Sequence, residues 1–179
     1  MGSLSGHLLI AGPDLWDPNF RRTIILIGQH DEDGAVGVVL NRVSDITVGE
    51  AAPGLADLVD PGEWLSIGGP VQPGAAVVLA ELDDPAQADI PAIGPIGFVT
   101  GELSEEVAAS IRRARVFAGY AGWGAGQLEA ELAGSSWIVE PAQPGDVFTD
   151  PERLWDVVLR RKGPEFQMLA LMPEDPSLN

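Results

Sequence analysis

Thr23-Ile24-Ile25-Leu26-Ile27-Gly28-Gln29-His30-Asp31-Glu32-Asp33-Gly34-Ala35-Val36-Gly37-Val38-Val39-Leu40-Asn41 is the stretch that sets the architecture. Its first five residues are apolar or β-branched throughout, which suits a strand buried on both faces. Asp31-Glu32-Asp33-Gly34 is a run of turn formers, and Ala35–Asn41 is again apolar. Two apolar runs joined this tightly predict an antiparallel hairpin.

Working outward, further short apolar runs stop at glycine and proline. His7–Ala11 ends at Gly12-Pro13, Trp64–Ile67 ends at Gly68-Gly69-Pro70, and Ala75–Leu82 is a third strand. Asp17–Phe20 reads as a turn, Val48–Asp60 as weakly helical with a break at Pro53-Gly54, and Ile90–Gly97 as a loop leading into Phe98-Val99. Ser104–Arg115 reads as a helix, with Ser104 as N-cap, Glu105 and Glu106 in the first turn, and Val107 and Ile111 on one face. Val116–Tyr120 is expected as a strand, Gly122–Gly126 as a loop, Gln127–Leu132 as a short helix and Trp137–Val139 as a strand.

The last expected helix runs from Pro151 to Lys162. Asp150 caps it, Arg160, Arg161 and Lys162 load its end, Gly163-Pro164 stops it, and Leu154, Val157 and Val158 form its buried stripe. Glu165–Met172 is ambiguous, and Pro173–Asn179 is expected to be extended. Strands outnumber helices and the first ones pair locally. The expectation is therefore α+β: one domain over 1–179, with helices flanking a mixed sheet.

Composition excludes several classes of function. The chain has 179 residues, no cysteine, 27 acidic residues against 10 basic ones, and a net charge of −17. Without cysteine there is no thiol nucleophile and no thiolate metal site. Nucleic-acid affinity comes mainly from Lys and Arg displacing counterions, so direct nucleic-acid binding is disfavoured. Met1–Ala11 lacks the basic start and apolar core of a signal peptide, and no apolar run approaches a membrane span. A cytoplasmic protein without membrane association is expected.

Catalytic signatures are missing. Gly134-Ser135-Ser136-Trp137 does not supply the nucleophile-elbow pattern, and the lone Lys162 does not stand in a phosphate-binding loop. His30-Asp31-Glu32-Asp33 superficially resembles a calcium loop, but Ala35 stands where an oxygen ligand is needed. No catalytic residue, metal ligand or cofactor is assigned. The dense segment is Phe117–Leu132, which reads as strand, glycine loop and helix start. Such a loop can present backbone N–H groups to an anion. However, Gln127 and Glu129 stand where a dinucleotide-binding pattern needs its last glycine, and the acidic side chains Glu129 and Glu131 would repel phosphate. The candidate binding residues are His30, Asn41 and Arg42 on the hairpin, and Tyr120, Gly122, Trp123, Gly124, Gly126 and Gln127 on the glycine-aromatic segment. Asp17 and Arg21 form a second candidate ion pair.

Read in order, these segments resemble one family. Gly6–Ala11, Asp17–Thr23, His30, Gly34–Arg42, Gly68–Val71, Gly119–Glu129, Ser136-Trp137 and Pro176–Asn179 are similar to the AlgH/YqgE family of bacterial proteins along the whole chain. Val43 departs from the pattern, since proline usually follows Asn-Arg there. The resemblance implies a cytosolic protein with helices around a strongly twisted mixed sheet that could be barrel-like. It implies no known activity, although some members carry the label of transcriptional regulator. The leading expectation is a non-enzymatic binding or regulatory protein acting through a protein partner. The alternatives are a small-ligand binder or enzyme using a cleft between His30/Asn41/Arg42 and Gly122–Gly126, and direct DNA binding, which the charge disfavours.

Overall fold

The computed structural model describes residues 2–171. The expected extended segment Pro173–Asn179, with the Pro176–Asn179 motif, lies outside the described residues, as does Met172. The hairpin forms as expected. β1 (His7–Ala11), β2 (Ile24–Asp31) and β3 (Gly34–Val39) pair antiparallel in succession, and Asp31 faces Gly34 across the turn. Leu8, Leu9, Ile10 and Ile24 to Ile27 are fully buried. Burying side chains of this size stabilises by roughly 1.5–3 kcal/mol each relative to exposure, so this apolar sheet dominates the core.

β4 (Val43–Thr47) begins at the departing residue Val43 and pairs only with β5 (Trp64–Ile67). Between them lie α1 (Val48–Ala51) and a 3-10 turn at Pro53–Leu58, in agreement with the interrupted helical reading. A capping box at Thr47 and Glu50 starts α1. β6 (Val71–Leu82) follows. The segment Ile90–Gly97 is not a loop: β7 (Ile90–Ile93) and β8 (Ile96–Val99) form a second hairpin turning at Gly94-Pro95. Pro91 is tolerated there because β7 is an end strand, where a missing donor costs little.

The helix expected over Ser104–Arg115 is half right. α2 (Glu105–Ser110) stops at Ser110, and the chain continues as β9 (Ile111–Gly124). Val107 and Ile111 share a helical spacing, but pairing with β6 overrides it. Glu81 faces Arg113, and Leu82 faces Ile111. The arginines become cross-strand partners: Arg113 Nε bonds Glu81 at 2.8 Å, and Arg112 bonds Asp83. The loop expected at Gly122–Gly126 is shorter too, because β9 runs through Gly124 before α3 (Gln127–Ala133).

β10 (Trp137–Pro141), α4 (Pro144–Phe148), α5 (Pro151–Lys162) and α6 (Gln167–Ala170) complete the described strands and α-helices. α5 has the expected limits, with the Asp150 side chain accepting from Glu152 N. Its buried stripe is Leu154, Trp155, Val158 and Leu159, whereas Val157 lies on the solvent side.

The main strand order is β10-β1-β2-β3-β9-β6-β8-β7, and β5 joins parallel to β9. The sheet is mixed and strongly curled: a Cβ at Gly28 on β2 would sit 2.5 Å from the Phe98 ring on β8. It does not close, so the barrel-like expectation is not met. β9 is the hub, pairing with β3, β5 and β6 along its length. It bends at Gly119 (φ +70°), where any side chain would strike the Gly69 carbonyl at 2.5 Å.

Arg115 on β9 ties the layers together. Its guanidinium donates to Leu40 O after β3 (2.9 Å), Ser66 Oγ on β5 (2.7 Å) and Val147 O in α4 (2.9 Å), and it lies 4.8 Å from the Phe117 ring centre. Burial pulls this guanidinium down to about 10, and Glu63 acts in the opposite direction. Removing it leaves three acceptors without a donor. Arg115→Ala should therefore destabilise the fold by about 3 kcal/mol. Urea denaturation followed by tryptophan fluorescence checks this, and a loss below about 1 kcal/mol would contradict the clamp.

Candidate functional site

The candidate residues fall into two groups at opposite ends of β3. Gly34 faces Gly124 and Ala35 faces Trp123, so the hairpin turn meets the glycine-aromatic segment at one end. Asn41 and Arg42 follow the other end, roughly 20 Å away at 3.3 Å per strand residue. The structure thus brings His30 to Trp123, Gly124 and Gln127, but does not bring Asn41 or Arg42 to them.

At the first end the polar groups satisfy one another. His30 is buried; its Nδ1 accepts from Leu4 N–H (3.0 Å), which leaves Nε2 to donate to Glu129 (2.7 Å). Glu129 accepts from its own backbone N–H and from His30, and both hold its carboxyl below the ordinary range. Gly126 caps α3 in the left-handed region, while Gly124 N–H is taken by Gln127 Oε1 at 3.0 Å. Trp123 is buried and stands against Phe20 and Trp137. Glu131 accepts both indole N–H groups, from Trp123 at 2.9 Å and Trp137 at 2.8 Å, and also bonds Gln127. Tyr120 pairs with Val71, and Gly122 with Val36. The segment carries a dense set of internal bonds.

The second end is a cleft of about 820 Å³ between the Trp16–Arg22 segment, the end of β3 and the start of α5. Asn41 builds its wall: the amide accepts from Ile24 N (2.8 Å) and donates to Arg22 O (3.0 Å). Arg42 donates to Asn19 O (2.6 Å) and Arg21 O (3.0 Å), holding the turn in place. The Asp17 carboxylate accepts from Asn19 N–H (2.8 Å) and acts on Arg42 only through its charge. Burial pulls the Arg42 guanidinium below its ordinary value, and Asp17 offsets part of this.

Three arginines, Arg21, Arg22 and Arg42, line this cleft, with Glu152 as the acidic residue among the lining groups. Arg21 lies over the Trp16 ring at 5.1 Å, and Arg22 over Trp155 at 5.7 Å. Trp16 is half exposed and Trp155 is buried against the helix side. Sequence reasoning singled out Asn41 and Arg42 but missed Trp16, Arg22 and Trp155. The adjacent Arg21-Arg22 pair flanked by Trp16 was the available signal.

A smaller cavity of about 180 Å³ lies beyond Pro151, lined by Glu63, Trp64, Ser66 and Arg115 among others. Burial pushes the Glu63 carboxyl up, against the attraction of Arg115.

The chain matches the AlgH-like family over residues 8–167. A UPF0301 protein of Streptomyces avermitilis is 44% identical, with all of this chain and 97% of the relative covered. A crystal structure of a Corynebacterium diphtheriae protein superposes with a TM-score of 0.85 at 30% identity, covering 96% of this chain and 94% of that one. The solution structure of the AlgH protein from Pseudomonas aeruginosa gives 0.73 at 32% identity, covering 97% and 96%.

Two outcomes follow from this geometry. Glu131→Ala strands two buried indole N–H groups and should cost about 2–3 kcal/mol, read by thermal or urea unfolding. Glu63 has a raised folded-state pKa, so its contribution is fully present below the unfolded carboxyl value and is lost as pH rises through the folded one. Glu63→Gln should therefore raise the melting temperature at pH 7, with the difference vanishing below about pH 4. A melting temperature lowered at pH 7 would mean that the attraction of Arg115 outweighs burial.

Proposed function

The chain belongs to the AlgH-like family, and from that premise we propose that it is a non-enzymatic binding protein whose recognition site is the arginine cleft at Asn41 and Arg42. The observation that carries this is a concentration of charge against the background. Three of ten basic residues meet in one concave site of a chain with net charge −17. Arginine is the side chain best suited to hold carboxylate or phosphate. The cleft's size falls in the range of small-ligand sites.

The ligand is anionic, and the protein acts in the cytoplasm through a protein partner. Direct DNA binding is disfavoured because the acidic surface repels a long polyanion, whereas a short anion meets mainly the local field of the cleft. The glycine-aromatic segment serves in this reading to fix β9 and β3, and so the cleft wall, rather than to touch the ligand. Proton-transfer chemistry at His30 is disfavoured, since both ring nitrogens are engaged inside the protein.

Titration calorimetry with inorganic pyrophosphate at low salt tests the site. Binding should weaken as salt rises. Arg21→Gln should weaken it about tenfold, the scale of one charge-assisted hydrogen bond. Arg42→Ala should do at least as much, although it also releases the turn. No binding at millimolar pyrophosphate, or binding indifferent to both substitutions, would overturn the proposal.

A further inference from the structure

We infer that the small cavity lined by Arg115 and Glu63 binds a zwitterionic amino acid, its carboxylate held by the Arg115 guanidinium and its ammonium by the Glu63 carboxylate. The cavity, of about 180 Å³, lies where β4 and β5 meet the turn between α4 and α5. It shares Pro151 with the arginine cleft and none of that cleft's arginines, so this site stands apart from the anion reading. Its two groups of opposite charge have bonding capacity left over. A guanidinium has five N–H donors, and Arg115 uses three, on Val147 O, Leu40 O and Ser66 Oγ. Its Nε–H and one Nη1–H remain. Glu63 is half-buried, and its carboxylate accepts no hydrogen bond from the described residues. Arg115 attracts it through charge without pairing with it.

Opposite charges that share a cavity without touching select a ligand by its charge pattern. A simple carboxylate suits Arg115 but meets repulsion from Glu63 and from Asp150, which also lines the cavity and caps α5 through Oδ1. A simple amine suits Glu63, where Asp60 adds to the negative field, but faces the Arg115 charge. A molecule with a carboxylate and an ammonium on adjacent positions satisfies both. Size points the same way. The cavity is smaller than the roughly 300–1,000 Å³ of sites for drug-sized ligands, which disfavours a nucleotide. Val43, Trp64 and Phe148 provide an apolar wall for a side chain, and Val43 and Trp64 are partly exposed, so that wall reaches the surface. Burial also pushes the Glu63 carboxyl up, so its charged form costs stability at neutral pH. Groups held at such a cost cluster at functional sites.

The test screens the standard amino acids at millimolar concentration for a raised melting temperature of the full chain. Titration calorimetry then compares the amino acid giving the largest rise with its deamino and decarboxy counterparts (for leucine, 4-methylpentanoate and 3-methylbutylamine). An apolar amino acid should bind, and each counterpart should bind about tenfold more weakly, the scale of one charge-assisted hydrogen bond. Glu63→Gln should weaken the amino acid by a similar factor, and Trp64→Ala by about fivefold through lost apolar contact. Arg21→Gln should leave it unchanged, and pyrophosphate should not displace it. A Glu63→Gln melting temperature no lower than that of the parent chain, and a single cooperative transition for Trp64→Ala, establish that the variants fold. The inference fails if no amino acid binds, if either counterpart binds as tightly, or if Glu63→Gln leaves the affinity unchanged. Displacement by pyrophosphate would place the amino acid in the arginine cleft and equally overturn it. The anion reading is decided separately, by pyrophosphate itself and by substitutions at Arg21 and Arg42.

Discussion

The buried Arg115 guanidinium is the constraint around which the rest is arranged. It sits on β9, the strand that pairs with β3, β5 and β6, and it donates to β3's exit, to β5 and to α4. A buried cation is costly unless its hydrogen bonds are met, so these three segments are held at fixed distances from β9. Leu40 leads directly into Asn41 and Arg42, and α4 into α5, so the bonds from Arg115 to Leu40 O and Val147 O fix where those two segments start. The arginine cleft opens between residues 16–22, Asn41-Arg42 and the start of α5, and two of these walls follow directly in the chain from groups that Arg115 bonds, Leu40 and Val147.

β9 carries two further devices that serve this arrangement. The bend at Gly119 lets it pass close to Gly69 and turn from the β6 face toward β3. Beyond the bend, Trp123 enters a cluster with Phe20 and Trp137, anchored by the Glu131 carboxylate. Phe20 belongs to the same turn whose carbonyls Arg42 holds. The aromatic cluster at one side of that turn and the arginine cleft at the other are therefore mechanically linked through residues 17–22. This connects the most recognisable run of the sequence to a site that it does not itself line.

Charge acts on two scales here. Over the whole chain, carboxylates outnumber basic groups nearly three to one, which disfavours polyanions at a distance. Locally, Arg21, Arg22 and Arg42 gather in one cleft beside Glu152, and burial pulls the Arg42 guanidinium below its ordinary value. In the proposed reading such a site takes a small anion, while the acidic surface around it disfavours a long one.

Local sequence determined those features that depend on neighbours in the chain. The 23–41 hairpin, the β1 and β5 strands, and the α5 helix with its Asp150 cap and Gly163 stop follow from apolar runs and turn formers, which act over a few residues. Long-range pairing decided the rest. Ile111–Arg115 follows a helical spacing, yet it becomes strand because its backbone pairs with β6, where Glu81, and Asp83 just after the strand, meet its arginines. Ile90–Ile93 becomes strand because an end position tolerates Pro91. His30 and Glu129, 99 residues apart, meet only because β3 pairs with β9. Asn41 and Arg42 were legible as polar residues at a strand end, but their distance from His30 was not, since it depends on which end of β3 each occupies. Trp16 and Arg22 carried a weak signal of their own: an exposed tryptophan and an arginine pair gain meaning only when a turn and a distant helix enclose the same cleft.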